Sequence, residues 1–230
     1  MPYFHSVTLE RDKCKGCTTC LKRCPTEAIR IRDGKAPIIG ERCIDCGECI
    51  RICPYHAKVA LTDPLSAINN FPYKIALPAP TLYGQFKNLP SIDRVLAGLL
   101  QMGFDDVFEV ARAAEIVSQA IKRQLSVRDC PKPLISSACP AIVRLIQVRF
   151  PELIDNIVDV KSPMEVAALE AKRLFAKKNG VPEDKIGCFF ITPCAAKMTA
   201  MRAPIGHRVS AVDGCISILE VYGLLSTQLR

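Results

Sequence analysis

The sequence predicts two folds in series: a small α+β domain over residues 1–63, then an α/β domain with a largely parallel sheet over residues 72–230. Three observations carry this reading. Eight of the 13 cysteines stand in two copies of one spacing, both complete before Pro54. Cysteine density falls after DPLSAINNFP, residues 63–72. Beyond that point short apolar runs alternate with amphipathic stretches of helical period, as strands and helices do around a parallel sheet.

The first copy is CKGCTTCLKRC at 14–24, followed by Pro25; the second is CIDCGECIRIC at 43–53, followed by Pro54. The repeat recurs after 29 residues with every gap kept. Three cysteines separated by two residues each wrap one loop around three corners of an iron–sulfur cube. The fourth, held off by a longer gap, ligates the other cluster. The spacing therefore assigns Cys14, Cys17, Cys20 and Cys53 to one 4Fe–4S cluster, and Cys43, Cys46, Cys49 and Cys24 to a second. A pair of zinc sites is the alternative, but such sites usually close on four local ligands without an exchanged one.

Gly16 and Gly47 lie inside the loops, where close approach of the backbone to sulfide disfavours a side chain. Between the copies, IRIRDGKAPII alternates around Asp33-Gly34, a hairpin signal. Over residues 1–63 the chain resembles the bacterial two-cluster ferredoxin family. The resemblance implies a ferredoxin-like fold that passes single electrons between neighbouring clusters.

The formal charge of +8 misstates the working protein. Two oxidised cores and eight thiolates bring it to roughly +4, because bound metal and its ligands enter the sum. No run of lysine or arginine marks a nucleic-acid footprint, so nucleic acid is set aside as a partner. Composition is 49% hydrophobic with a mean hydropathy of +0.17, yet no apolar run reaches the roughly 18 residues of a membrane span. The N-terminus lacks the basic and apolar regions of a secretory signal. The expectation is a cytoplasmic protein, where clustered cysteines hold metal rather than form disulfides.

In the larger domain YKIALPAP (73–80) reads as a buried strand. Ser91 caps a helix with Ile92, Val95, Leu96, Leu99 and Leu100 on one face, stopped by Gly103. DDVFEVA is a second short strand, and the helix after it turns Ile116, Val117, Ala120 and Ile121 inward. PLISSA (133–138) is a third strand, with a helix from Pro140. Ser162-Pro163-Met164-Glu165 is a capping box opening a helix that ends at Asn179-Gly180. KIGCFFIT (185–192) is a fourth strand, again followed by a helix. A strand near Val212 and a helix reaching Leu229 complete the pattern.

Cys139 and Cys194 each follow a strand-like run and precede a helix. Such turns lie at the carboxyl edge of an open sheet, where α/β folds bind ligands, and helix N-termini there suit thiolates. Position alone favours ordinary buried cysteines. Cys130, Cys188 and Cys215 read as buried cysteines only.

The segments around these two cysteines resemble FeFe-hydrogenases, and residues 73–230 resemble the first part of that family's catalytic domain. ISSACPAI (135–142) is similar to Thr-Ser-Cys-Cys-Pro-x-Trp, TPCAAKMTA (192–200) to Met-Pro-Cys-x-x-Lys-x-x-Glu, and GFDDVFEVARAAE (103–115) to Gly-Phe-Asp-x-Val-Phe-Asp. The resemblance implies that Cys139 and Cys194 bind the 4Fe–4S part of an H-cluster and that Lys197 contacts a cyanide on its diiron part. The departures are specific. Ala138 stands where the family has a proton-relaying cysteine, Ile142 where it has tryptophan, Thr192 for methionine and Ala200 for glutamate. A methyl group neither donates nor accepts a proton. The third signature, Glu-x-x-x-Cys-x-Gly-Gly-Cys, is absent from the 230 residues, leaving Cys188 and Cys215 as the only nearby substitutes. The altered first signature resembles the sensory-type members.

The expected function is iron–sulfur electron transfer in this family, to or from a hydrogen-reacting or hydrogen-sensing site only partly encoded here. Two 4Fe–4S clusters are expected, and a third with a diiron subsite if the remaining ligands are supplied. The expected partners are a redox protein and a second polypeptide or further C-terminal segment that completes the cleft. The alternative is a non-catalytic electron carrier or a redox-responsive interaction protein.

Overall fold

The structure, a computed structural model, describes residues 4–87, 89, 91–126, 131–206 and 208–228. In chain order its elements are β1 (Val7–Leu9), α1 (Thr19–Arg23), α2 (Glu48–Arg51), β2 (Lys58–Ala60), β3 (Tyr73–Pro78), α3 (Asp93–Gln101) and β4 (Asp106–Val107). There follow α4 (Val110–Leu125), α5 (Pro140–Arg149), α6 (Pro163–Asn179), β5 (Ile186–Thr192), α7 (Ala195–Arg202), β6 (Gly214–Ser217) and α8 (Ile218–Gln228). They form two compact units. The first joins residues 1–61 to 131–159 and 194–209; the second gathers 62–130, 160–193 and 210–230.

In the first unit β1 and β2 pair antiparallel, Val7 opposite Ala60 and Leu9 opposite Lys58. The cysteine loops between them repeat in backbone as in sequence. Gly16 and Asp45, 29 residues apart, both adopt positive φ (66° and 51°). So do Thr18 and Gly47 (64° and 76°), and Glu27 and His56 (52° and 49°). The Asp33-Gly34 turn has both central residues at positive φ, the geometry a two-residue hairpin prefers. Arg32 bridges Lys35, and Ile29 bridges Ile38. No protein atom stands where a Gly47 side chain would be, and its φ of 76° is left-handed backbone that favours glycine. At Gly16 the obstruction is the hairpin, since a Cβ would meet the Gly34 carbonyl oxygen at 2.6 Å.

Two further segments complete this unit. PLISSA does not enter the sheet. Ile135 makes only an isolated parallel bridge to Ile157, its N–H donating to the Asn156 carbonyl at 2.8 Å. Pro133 opens the run and Pro131 precedes it, neither with an N–H to offer a ladder, so apolar content alone did not make a strand. The neighbouring helices attach by specific bonds: on α5, Arg144 Nη2 donates to the Glu41 carbonyl at 3.1 Å, and on α7, Thr199 Oγ1 meets Ser6 Oγ at 2.8 Å and accepts from Ser6 N–H at 3.0 Å.

The second unit holds a four-stranded, all-parallel sheet in the order β4-β3-β5-β6. Every residue of β5 is buried, as a strand covered on both faces requires. On one face Ala76, Phe189, Ile191 and Ile216 pack with Val95 and Leu99 of α3 and Val221 and Leu225 of α8. The expected faces of α3 and α4 are corrected in part. Ile92, Leu100 and Ile116 are exposed, while Val95, Leu99, Val110, Ala113 and Val117 turn inward. Apolar spacing sets the period of a helix but not which edge of a wide stripe meets the core.

Helix α6 starts at Pro163 and ends on Gly180, whose φ of 68° gives the left-handed cap. The capping box does not form. Ser162 makes no side-chain cap bond, and Glu165, 2% exposed, accepts from Ser210 Oγ and from the Ala211 N–H at 2.7 Å instead. A buried carboxylate must be hydrogen-bonded, and here Ser210 and Ala211 supply the donors.

Candidate metal centres

The eight clustered cysteines all lie in the first unit. Cys14, Cys20 and Cys43 are buried, Cys17 and Cys46 exposed, and Cys24, Cys49 and Cys53 intermediate. Cys24 lines one recess together with Cys43, Cys46 and Cys49. The fourth cysteine of the first copy thus joins the first three of the second, as an exchanged ligand must. Cys14 and Cys20 belong to a core with Ile29, Ala36 and Ala57, against which Cys24, Cys49 and Cys53 all pack.

The fourth cysteines of the two copies are treated alike by the backbone. The Ala28 N–H donates to Cys24 Sγ at 3.2 Å and the Ala57 N–H to Cys53 Sγ at 3.3 Å. Amide donors stabilise a sulfur that carries negative charge, and such bonds tune iron–sulfur potentials. The chemistry of this donor set fits two 4Fe–4S cubes. Burial pushes the Cys43 thiol up to about 12, with the Asp45 carboxylate adding to the effect and Cys49 and Cys24 following. Burial likewise pushes Cys49 up to about 12. Thiols held this high stay protonated near neutral pH, and a metal that binds them releases protons.

Several residues that matter here were not singled out from the sequence. Asp45, 2% exposed, accepts the Val7 N–H at 3.0 Å on Oδ1 and bonds His5 Nδ1 at 3.2 Å on Oδ2. His5, Cys43 and Asp45 offer ligand atoms within 4.8 Å of one another. Because Cys43 belongs to the recess, Asp45 and His5 read as the groups that brace its loop. The available signal was the break in the repeat, an aspartate where the first copy has Gly16. Lys35 Nζ donates to the Cys14 carbonyl at 2.9 Å and fixes the other loop.

Cys139 and Cys194 occupy matching positions. Each is the residue before a helix, α5 and α7, on extended backbone (φ −104°, ψ 104° and φ −105°, ψ 110°). The Cys139 carbonyl accepts from the Ile142 and Val143 amides, both at 3.1 Å, and the Cys194 carbonyl from Lys197 and Met198. Lys197 Nζ donates to the Ala138 carbonyl at 2.7 Å, which ties the first turn of α7 to the residue preceding Cys139. Cys139 and Cys194 thus both stand at helix starts of the first unit, and Lys197 bonds the residue before Cys139.

Cys188 and Cys215 stand elsewhere, fully buried on β5 and β6 of the second unit. The Cys188 thiol faces the Ala168 carbonyl at 3.7 Å and is pushed up to about 12 by burial. Cys130 lies outside the described residues.

Residues 73–228 match the family model described as iron only hydrogenase large subunit, C-terminal domain, and residues 6–54 match a 4Fe-4S dicluster domain. The chain is 25% identical over 227 residues to the NADP-reducing hydrogenase subunit HndD of Solidesulfovibrio fructosivorans, covering 84% of this chain and 39% of that protein. It is 30% identical over 120 residues, 51% of this chain and 23% of the other, to a cytosolic Fe-S cluster assembly factor NAR1 homolog of Schizosaccharomyces japonicus. Among solved structures, a variant of the [FeFe]-hydrogenase HydA1 from Chlamydomonas reinhardtii superposes with a TM-score of 0.58 at 20% identity, over 71% of this chain and 46% of that one. The likeness at that identity is one of fold. The chain spans 38–50% of the length of the hydrogenase relatives that it matches over 84% of itself.

Proposed function

The chain belongs to the iron-only hydrogenase large-subunit family, and we propose that it transfers single electrons there, through two 4Fe–4S clusters, to or from a hydrogen-reacting or hydrogen-sensing site that these residues build only in part. Cys14, Cys17, Cys20 and Cys53 would hold one cluster, and Cys43, Cys46, Cys49 and Cys24 the other. The observation that carries the reading is the recess shared by Cys24 with Cys43, Cys46 and Cys49. When bound, each cube supplies reversible one-electron redox chemistry.

The residues around the sulfurs set the terms of that chemistry. Ile29, Ala36 and Ala57 keep water from the first site, and the Ala28 and Ala57 amides face the exchanged sulfurs. The loop carrying Cys43 is fastened by Asp45 to Val7. Arg144 binds the carbonyl of Glu41, two residues before Cys43, from the helix that begins after Cys139. The Arg144 link supports an order in which the second cluster lies on the side of the Cys139–Cys194 site, and a redox protein partner would exchange electrons with the cluster pair.

Cys139 and Cys194 would supply two of the four thiolates a third cube needs. Cys188 and Cys215 are committed to buried strands, so the remaining ligands would come from further polypeptide, of this chain or another, that completes the cleft. Until then no step is assigned to an H-cluster. Lys197 holds the Ala138 carbonyl and orients the Cys139 turn.

A second reading, a non-catalytic electron carrier or redox-responsive interaction protein, draws on Ala138 and Ala200 and on the likeness to the cluster assembly factor. Iron and sulfide content with infrared spectra separates the two. About eight irons and sulfides support the electron-transfer core. Carbonyl and cyanide bands, once the missing segment and diiron cofactor are supplied, support the hydrogen-reacting site; their absence under those conditions favours the second reading.

A further inference from the structure

Lys58 is a buried cation at the centre of the cysteine-rich unit. It sits on β2 opposite Leu9, is 2% exposed, and its Nζ donates to the Ala36 carbonyl. Among the described residues it joins no carboxylate in an ion pair. An ammonium withdrawn from water without an anion is costly, and such groups normally have a partner charge.

The surroundings identify that partner. Ala36 belongs to the core of Cys14 and Cys20, against which Cys24, Cys49 and Cys53 also pack. Lys58 itself follows Ala57, whose amide faces Cys53 Sγ. Cys20 belongs to one cysteine triplet and Cys49 to the other. The cation is thus bonded within a core that cysteines of both sites share.

We propose that Lys58 is a shared counter-charge for the two clusters, a positioning residue whose ammonium favours the reduced form of each. Each cube with its four thiolates is anionic and gains one more negative charge when it accepts an electron from a one-electron donor. A fixed positive charge nearby stabilises the reduced form more than the oxidised one. The inference rests on the cluster assignment above.

The test uses the full 230-residue chain with its clusters as wild type, Lys58→Met, Lys58→Gln and Lys58→Arg. Iron and sulfide are counted first, then reduction is followed by paramagnetic resonance at defined potentials. With Met or Gln, the ratio of reduced to oxidised cluster at a fixed potential should fall at least about tenfold at both clusters, a shift of about 59 mV for a one-electron couple. Arg should stay close to wild type. Should the neutral variants take up no iron while Arg loads fully, the counter-charge is required for assembly, which supports the role. Unchanged potentials in fully loaded Met and Gln variants overturn it, as does failure of Arg to load, which marks a requirement of shape. A wild-type chain without about eight irons overturns the cluster assignment itself, and this inference with it.

Discussion

Lys197 Nζ lies 2.7 Å from the Ala138 carbonyl oxygen, so a side chain three residues after Cys194 anchors the residue just before Cys139. The bond is charge-assisted and partly buried, and it couples two helix starts that are 55 positions apart in sequence. Replacing Lys197 with Met should cost about 1–3 kcal/mol, the range for hydrogen bonds to charged groups and for stranded acceptors. Hydrogen exchange at the Ile142 and Val143 amides, which cap on the Cys139 carbonyl, should speed up in the variant. Unaltered exchange and an unaltered denaturation midpoint would show that the bond does not hold the turn.

The thiols of the metal-free chain should differ sharply in reactivity. The Thr19 hydroxyl faces Cys17 Sγ at 3.5 Å and holds that exposed thiol below its ordinary pKa, whereas burial pushes Cys43 and Cys49 up to about 12. Since the thiolate is the nucleophile, brief alkylation at pH 8 with peptide mapping should label Cys17 well before Cys43 and Cys49. The sign for stability follows. Between pH 9 and about 12 the unfolded chain sheds those protons before the folded one, so the metal-free fold weakens as pH rises through that window. Equal labelling of the three, or a metal-free fold that strengthens across it, would contradict the burial described.

Much of this arrangement was legible in the residues, for physical reasons. The 29-residue repeat reappears as paired left-handed backbone at Gly16 and Asp45, and at Thr18 and Gly47, because cysteine spacing dictates loop shape. Asp33-Gly34 and Gly180 announced their positive φ by residue type, and the apolar run at 186–192 became a strand buried on both faces. What stayed hidden was non-local. Nothing near Glu165 in sequence foretells Ser210, and nothing near Lys58 foretells Ala36. PLISSA looked like a sheet strand because composition reports burial, while its bridge partner, Ile157, depends on the path of the chain.

Hydrogen chemistry by residues 1–230 alone should be absent or far below that of ordinary family members. Ala138 offers no exchangeable proton on its side chain, and its carbonyl is held by Lys197; a positioned proton donor or acceptor typically contributes about 10²–10⁴-fold. Hydrogen evolution would be measured after incubating the purified chain with the diiron cofactor and a reductant. Brisk turnover would contradict the partial-site reading.

The exchange of fourth ligands is the centre of the account, and paramagnetic resonance of Cys24→Ala and Cys53→Ala proteins tests it most directly. With the two cluster signals resolved, Cys24→Ala should disturb the cluster held by Cys43, Cys46 and Cys49, and Cys53→Ala the cluster held by Cys14, Cys17 and Cys20. If each substitution instead disturbs the cluster of its own sequence copy, the ligands are not exchanged and the account of both sites is wrong.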